Sequence, residues 1–275
     1  MADADPHGGS DFTLSRTIRM LVAATAVGGL ALSGLMTAGA ASAAVNGLGT
    51  HGPGSWYVAP GTGSRAIGLS AASTSTRTFA GYETAVPAGS ATVVTASFAV
   101  PTLTCTTTDR AIAADVGVPV NNNKTVSLAG VIIGCSNGTA VSYPSVLVNG
   151  TETDYTASPV AAGDVIDLTT KVSTNRTRVQ VTDVTSGVTQ KIIGAGASAS
   201  AAYIGDDALF TSSQALIHVP DFGKLKYRNG LIDAKTLASW RPHAYQRVNS
   251  RGTVQIAIGT LSTSGLAFAT RYEHS

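Results

Sequence analysis

The sequence predicts an all-β fold, an antiparallel sandwich or barrel, on three observations. Apolar residues alternate with period two over most of the chain beyond Phe79. Turn residues interrupt these runs at intervals of roughly 8 to 12 residues. Helix signals are scarce, and no internal repeat of propeller or solenoid period is present. With 275 residues and 44% apolar content the chain can build one large core without a second domain.

The N-terminus is read separately. Arg16 and Arg19 precede an uncharged run from Met20 to Leu35, and Ala41-Ser42-Ala43 follows as an A-x-A cleavage pattern. Residues 1–43 are therefore expected to be a secretory signal peptide and the protein to be extracellular. The run, with Gly28, Gly29 and Gly34 inside it, is too short for the roughly 20 residues of a spanning helix, so no stable membrane anchor is expected after cleavage. Residues 44–77, rich in Gly, Ser, Ala and Thr, form a leader segment in which Trp56 and Tyr57 are the only aromatics. The domain occupies residues 78–275.

Within it, Val94, Ala96, Phe98 and Val100 share one strand face, and Pro101 closes that strand. Ile166, Leu168, Thr170 and Val172 form the buried side of another, entered through Gly163-Asp164 and left through Thr174-Asn175. Val179 and Val181 continue the pattern, and Asp183 to Gly187 turns the chain into Val188–Ile193. Later strands are expected at Leu225–Arg228, ending at Asn229-Gly230, at Val254–Ile258 and at Leu266–Tyr272. Leu231–Trp240 reads as a short helix with Asp233 near its start and Pro242 as its stop.

Charge excludes some partners. Cleavage after Ala43 leaves 16 Lys+Arg against 13 Asp+Glu, and no basic run is long enough for nucleic acid. Lys224, Lys226 and Arg228 alternate along one solvated strand face. Cys105 and Cys135 both lie in the exported part, where a disulfide between them is the expected state. No metal or cofactor pattern is present. The Ala, Gly and Thr richness points to a bacterial source, so the sequons at Asn123, Asn137, Asn149 and Asn175 indicate exposed loops.

Several segments, in order, resemble the glutamic peptidases called eqolisins (peptidase family G1, formerly A4). Thr78-Phe79-Ala80-Gly81-Tyr82 is similar to the family's W-A-G-Y, and Val94 to Pro101 to its V-x-G-x-F-x-V-P strand. Ala113-Ala114-Asp115-Val116-Gly117-Val118 stands where the family has a W-V-G-I-D-like strand. Ala162-Gly163-Asp164, the Val181–Val188 hairpin and Val219-Pro220-Asp221-Phe222-Gly223 resemble its A-G-D, V-x-N-x-T-T-G-x and F-A-D-F-G segments. The resemblance spans roughly residues 78 to 270. It implies a concanavalin A-like (jelly-roll) sandwich of two bent antiparallel sheets, with a groove for an extended polypeptide.

In that family a Gln and a Glu project into the groove as oxyanion donor and general acid/base. The glutamine strand, L-Q-T-G-V, is matched by Ser127-Leu128-Ala129-Gly130-Val131, and the glutamate strand, A-E-W-I-V-E, by Ala201-Ala202-Tyr203-Ile204-Gly205-Asp206. Leu128 and Ala202 thus take the dyad positions, and neither transfers a proton. Only three glutamates occur, Glu83, Glu152 and Glu273, none in that strand.

The resemblance therefore implies an eqolisin-like protein without peptidase activity, a monomer whose groove binds an extended peptide or polysaccharide. The alternatives are an acid endopeptidase or other hydrolase with a relocated carboxylate, Asp115 being the best single candidate, and a lectin-like carbohydrate-binding module. Asp206 and Asp207, being consecutive, would face opposite ways and are read as turn residues after Gly205. Asp221 is a weaker carboxylate candidate, and His218 lacks a nucleophile-elbow serine. Tyr203, Tyr143 and Tyr155 are the aromatic candidates for lining the groove.

Overall fold

The computed structural model describes residues 73–108, 110–210 and 215–274. The expected signal peptide and most of the leader, including Trp56 and Tyr57, lie outside the described residues. The described chain forms 16 strands: β1 (Thr74–Thr76), β2 (Phe79–Ala85), β3 (Thr92–Ala99), β4 (Arg110–Val120), β5 (Thr125–Ser136), β6 (Thr139–Val148), β7 (Thr151–Asp154), β8 (Val165–Val172), β9 (Arg176–Asp183), β10 (Val188–Ala195), β11 (Ala201–Ala208), β12 (Lys224–Ile232), β13 (Lys235–Thr236), β14 (His243–Val248), β15 (Val254–Ile258) and β16 (Phe268–Tyr272). Apart from the β1–β14 pair, every ladder is antiparallel.

The strands form two layers joined through β12. The first runs β10-β9-β8-β3-β12 and the second β12-β16-β15-β14-β2-β11-β4-β5-β6-β7. Lys224 to Tyr227 pair with β16, whereas Arg228, Leu231 and Ile232 pair with β3, so the change of layer falls between Tyr227 and Arg228, just ahead of a bulge between Arg228 and Leu231. The strand thus continues past Asn229-Gly230, where the sequence suggested an end. The expected alternation of Lys224, Lys226 and Arg228 outward and Leu225 and Tyr227 inward holds.

The core lies between the layers. Val94, Ala96 and Phe98 of β3 and Ile166 and Leu168 of β8 face Val116, Val118, Val131 and Ile204 of the second layer. Thr170 on β8 crosses the gap, its hydroxyl donating to the Val116 carbonyl at 2.9 Å. A buried hydroxyl in an apolar layer needs that partner.

The expected helix over Leu231–Trp240 does not form. Asp233 instead accepts the Val93 N–H on its Oδ1 at 2.7 Å and donates its own N–H to the Val93 carbonyl. These bonds hold it to β3, and left-handed Asp233 and Ala234 turn the chain into β13. Only Leu237–Trp240 coils, as one 3-10 turn.

Asn137-Gly138 and Asn149-Gly150, with both residues of each pair at positive φ, are the tight turns of the β5–β6 and β6–β7 hairpins. Of the four sequon asparagines, Asn123, Asn137 and Asn175 are exposed, while Asn149 is partly buried and donates to the Ala195 carbonyl at 3.0 Å.

The Cys105–Cys135 disulfide is present and fastens the segment after β3 to the end of β5, with a sequence separation of 30. Closing a loop of that length contributes about 3 to 4 kcal/mol. Replacing both cysteines with serine is expected to lower stability by about that amount in urea titration, and an unchanged midpoint would show that the bridge adds nothing.

Candidate functional site

Directly opposed residues in an antiparallel ladder carry their side chains on one face. The registers of the second layer therefore define rows across its outer face, away from the first layer. One row is Glu83 on β2, Tyr203 on β11, Gly117 on β4, Leu128 on β5, Leu147 on β6 and Glu152 on β7. The next is Gly81, Gly205, Asp115, Gly130, Ser145 and Asp154, and the third is Phe79, Asp207, Ala113, Ile132 and Tyr143.

These rows correct the sequence reading of the dyad positions. Leu128 belongs to the outer face, packed with Phe79, Val126, Leu147, Tyr203 and Tyr245. Ala202 belongs to the core between the layers. The two do not face one cleft, because Ala202 is one residue out of phase with the row that holds Leu128. Tyr203 takes the place on the Leu128 side. Asp206 and Asp207 are also not turn residues: both lie fully buried inside β11, facing opposite ways as their adjacency requires. Tyr143 lies on the outer face, whereas Tyr155 packs against the core between the layers. His218 is exposed, and Asp221 accepts the Gly223 N–H in a local turn.

Two acidic centres occupy the outer face. In the central one Asp115 and Asp207, both 0% exposed, meet across Gly205. Tyr203 Oη donates to Asp207 Oδ2 at 3.0 Å, while among the described residues Asp207 Oδ1 and both oxygens of Asp115 are buried without a hydrogen-bond partner. Burial, and then the charge of Asp207, pushes Asp115 well above the usual carboxylate range. Burial also raises Asp207, against the hydrogen bond from Tyr203. Two enclosed carboxyls this close do not both ionise.

Glycines make room for the rings that enclose this pair. A Cβ on Gly117 would stand 2.1 Å from the Tyr203 ring, and one on Gly81 would stand 2.6 Å from the Phe79 ring. Phe79 meets Tyr203 edge-on at 5.3 Å and Tyr245 at 5.9 Å.

Arg247, two residues beyond Tyr245 on β14, is buried beside this pair. Its Nη2 donates to the Ile217 carbonyl at 3.1 Å, while Nε and Nη1 have no hydrogen-bond partner among the described residues. Burial lowers it to about 10, and the charges of Asp207 and Asp206 oppose that fall. On the reverse face of β11, burial lifts Asp206 to about 7. Tyr227 Oη lies 2.6 Å from both Asp206 Oδ1 and the Gly205 carbonyl. A phenol has one proton, so Tyr227 donates to one of these oxygens at a time, and its bond to Asp206 lowers that carboxyl against the effect of burial.

The second centre lies at the β7 edge. Glu152 and Asp154 are partly buried and two residues apart, hence on one face, with Ser145 donating to Glu152 Oε1 at 3.2 Å. Burial and then the charge of Asp154 lift Glu152 to about 10. Sequence reasoning passed over this pair and Arg247. The signal available was Thr151-Glu152-Thr153-Asp154 directly after an Asn-Gly turn, which puts both acids on one side of a strand. Among the described residues no group of three or more His, Cys, Asp or Glu is placed to hold a metal ion.

The fold and this outer face define a two-layer β-sandwich of the eqolisin type. The Peptidase A4 family profile matches residues 77–264, and the chain belongs to that family. Among solved structures it is similar to scytalido-glutamic peptidase with a transition state analog inhibitor, at 14% identity and TM-score 0.56, covering 72% of this chain and 98% of that one. SCP-B, an eqolisin family member in complex with the tripeptide Ala-Ile-His, matches at 14% identity and TM-score 0.54, with the same coverage. Aspergilloglutamic peptidase from Aspergillus niger matches at 18% identity and TM-score 0.50, covering 60% of this chain and 99% of that one. No curated protein matches the chain in sequence.

Proposed function

We propose that this Peptidase A4 family protein is secreted as a monomer and holds an extended peptide on the outer face of its second layer without cutting it by the glutamic peptidase mechanism. The row that contains Leu128 carries the reading. Where the family pairs a glutamine with a glutamate, this row pairs buried Leu128 with Tyr203 across Gly117, and Tyr203 is committed to Asp207. Neither supplies a general base to a water molecule.

The enclosed Asp115–Asp207 pair supports the same reading. Its carboxyls are sealed by packed rings, so a substrate has no contact with them in this arrangement. A peptide is favoured over a polysaccharide as the ligand because SCP-B is seen with a tripeptide.

Incubating the purified protein with a denatured protein at acid pH is expected to give binding on co-sedimentation and no cleavage above background. Cleavage that disappears in Asp115→Asn or Glu83→Gln would replace this reading with a hydrolase using a relocated acid. Binding to a sugar array without binding to polypeptide would favour the lectin-like alternative.

A further inference from the structure

We propose that Glu152, Asp154 and Tyr143 form a subsite for a primary ammonium group carried by the peptide that the outer face holds, an inference that rests on the function proposed above.

The geometry comes from three strand positions. Asp154 stands opposite Ser145, and Glu152 opposite Leu147, so both carboxyls project from β7 onto the outer face. Tyr143 lies two residues before Ser145 on β6 and projects to the same side. The residue is 4% exposed, packed with Ala111, Ala113, Ile132 and Leu209, and among the described residues its hydroxyl has no hydrogen-bond partner. Its register sets it diagonal to Asp154 on that face, and burial, then the charges of Asp154 and Glu152, push its hydroxyl up.

Among the described residues three buried oxygens here lack hydrogen-bond partners: Glu152 Oε2, Asp154 Oδ1 and Tyr143 Oη. A buried polar atom without a partner costs about 1 to 3 kcal/mol, so a ligand that satisfies three of them has a strong local advantage. A primary ammonium has three N–H donors on one small cation. It matches the three acceptors in number and the two carboxyls in charge. Calcium would need six to eight oxygens, more than the cluster supplies.

With a proton on Glu152 the cluster carries one negative charge, on Asp154. Glu152 holds a proton up to about 10, and the groups that face it are Asp154, Ser145 and Tyr143. An arriving ammonium takes the place of that proton, which leaves for solvent. The site then holds two carboxylates and one cation, one positive charge having been exchanged for another. Affinity is therefore expected to rise between pH 6 and 8, by up to about tenfold per unit. Glu152 and Asp154 are partly exposed, whereas Asp115 and Asp207 are fully buried.

The test is calorimetric titration of the full chain with three peptides of one extended sequence. The first is acetylated with a central lysine, the second acetylated with norleucine at that place, and the third carries the norleucine with a free amino terminus. Binding at least tenfold tighter for the first or the third than for the second is expected, and which of them gains tells a lysine side chain from a chain terminus. Glu152→Gln and Asp154→Asn should each remove the gain. Tyr143→Phe, which removes one oxygen and keeps the ring, should reduce the gain severalfold in a chain whose circular dichroism is unaltered. Equal binding of all three peptides, or a gain that survives in the carboxyl variants, overturns the subsite and leaves the peptide-holding function standing. Binding of none overturns both.

Discussion

The unfolding temperature is expected to be highest in acid and to fall as pH rises through about 7, the reverse of a protein held by ionised carboxylates. Asp206 has a folded value of about 7, against 3.8 for an unburied aspartate, and burial is the main cause. A carboxyl raised on folding holds its proton in the native state at pH values where the unfolded chain has released it. Its contribution is therefore fully present below about pH 4 and is lost as pH rises through the folded value. A rise of about three units corresponds to roughly 4 kcal/mol. Asp115 and Asp207 act in the same direction, because both are raised by burial and ionising both leaves two charges in an enclosed site.

For a domain of this size the fall amounts to roughly 10 °C between pH 4 and pH 8. Asp115→Asn supplies an amide donor to Asp207 without a second ionisation. It should raise the unfolding temperature at pH 8, change it little at pH 4, and so flatten the profile. Thermal melts from pH 3 to 9 read this directly, and a wild-type curve that climbs from pH 4 to pH 8 would refute the account.

Gly205→Ala is expected to destabilise the protein by about 3 kcal/mol or more, at the severe end of single substitutions. A Cβ at Gly205 would lie 2.3 Å from the Ala80 carbonyl oxygen, 2.6 Å from the Phe79 ring and 2.8 Å from the Gly81 Cα. The ring can move, but the β2 backbone is fixed by its ladders to β11 and β14. The double variant Phe79→Ala/Gly205→Ala should therefore recover little of the loss. In urea titrations a cost below 1 kcal/mol for Gly205→Ala, or full recovery in the double variant, would show that β2 and β11 separate easily.

The legible and illegible strands differ in what covers them. β3, β8 and β9 have one face in the core and one toward solvent, and their alternation at Val94, Ala96, Phe98 and at Ile166, Leu168 gave away both their state and their inward side. β4, β5 and β11 are buried on both faces, so Ala111 to Val118 and Ala201 to Ala208 read as continuous runs with no inward side. That lack of phase is why the family motif placed Ala202, and not Tyr203, beside Leu128. The short helix over Leu231–Trp240 failed for a related reason. Its pattern was compatible with a helix, and only the bonds between Asp233 and β3 decide for a strand.

The amino-acid sequence by itself determined the all-β class, the Cys105–Cys135 pair as the available disulfide and the eqolisin resemblance, because turn residues, period two and motif order are local properties. Tertiary structure alone decided which side of β11 each residue presents, and hence that Asp115 meets Asp207 while Asp206 meets Tyr227. It also brought Arg247 and the Glu152–Asp154 edge onto the same face as Leu128. The physical reason is that a strand side chain changes face with every residue, so a one-residue difference in register, invisible in a run buried on both sides, exchanges core for site.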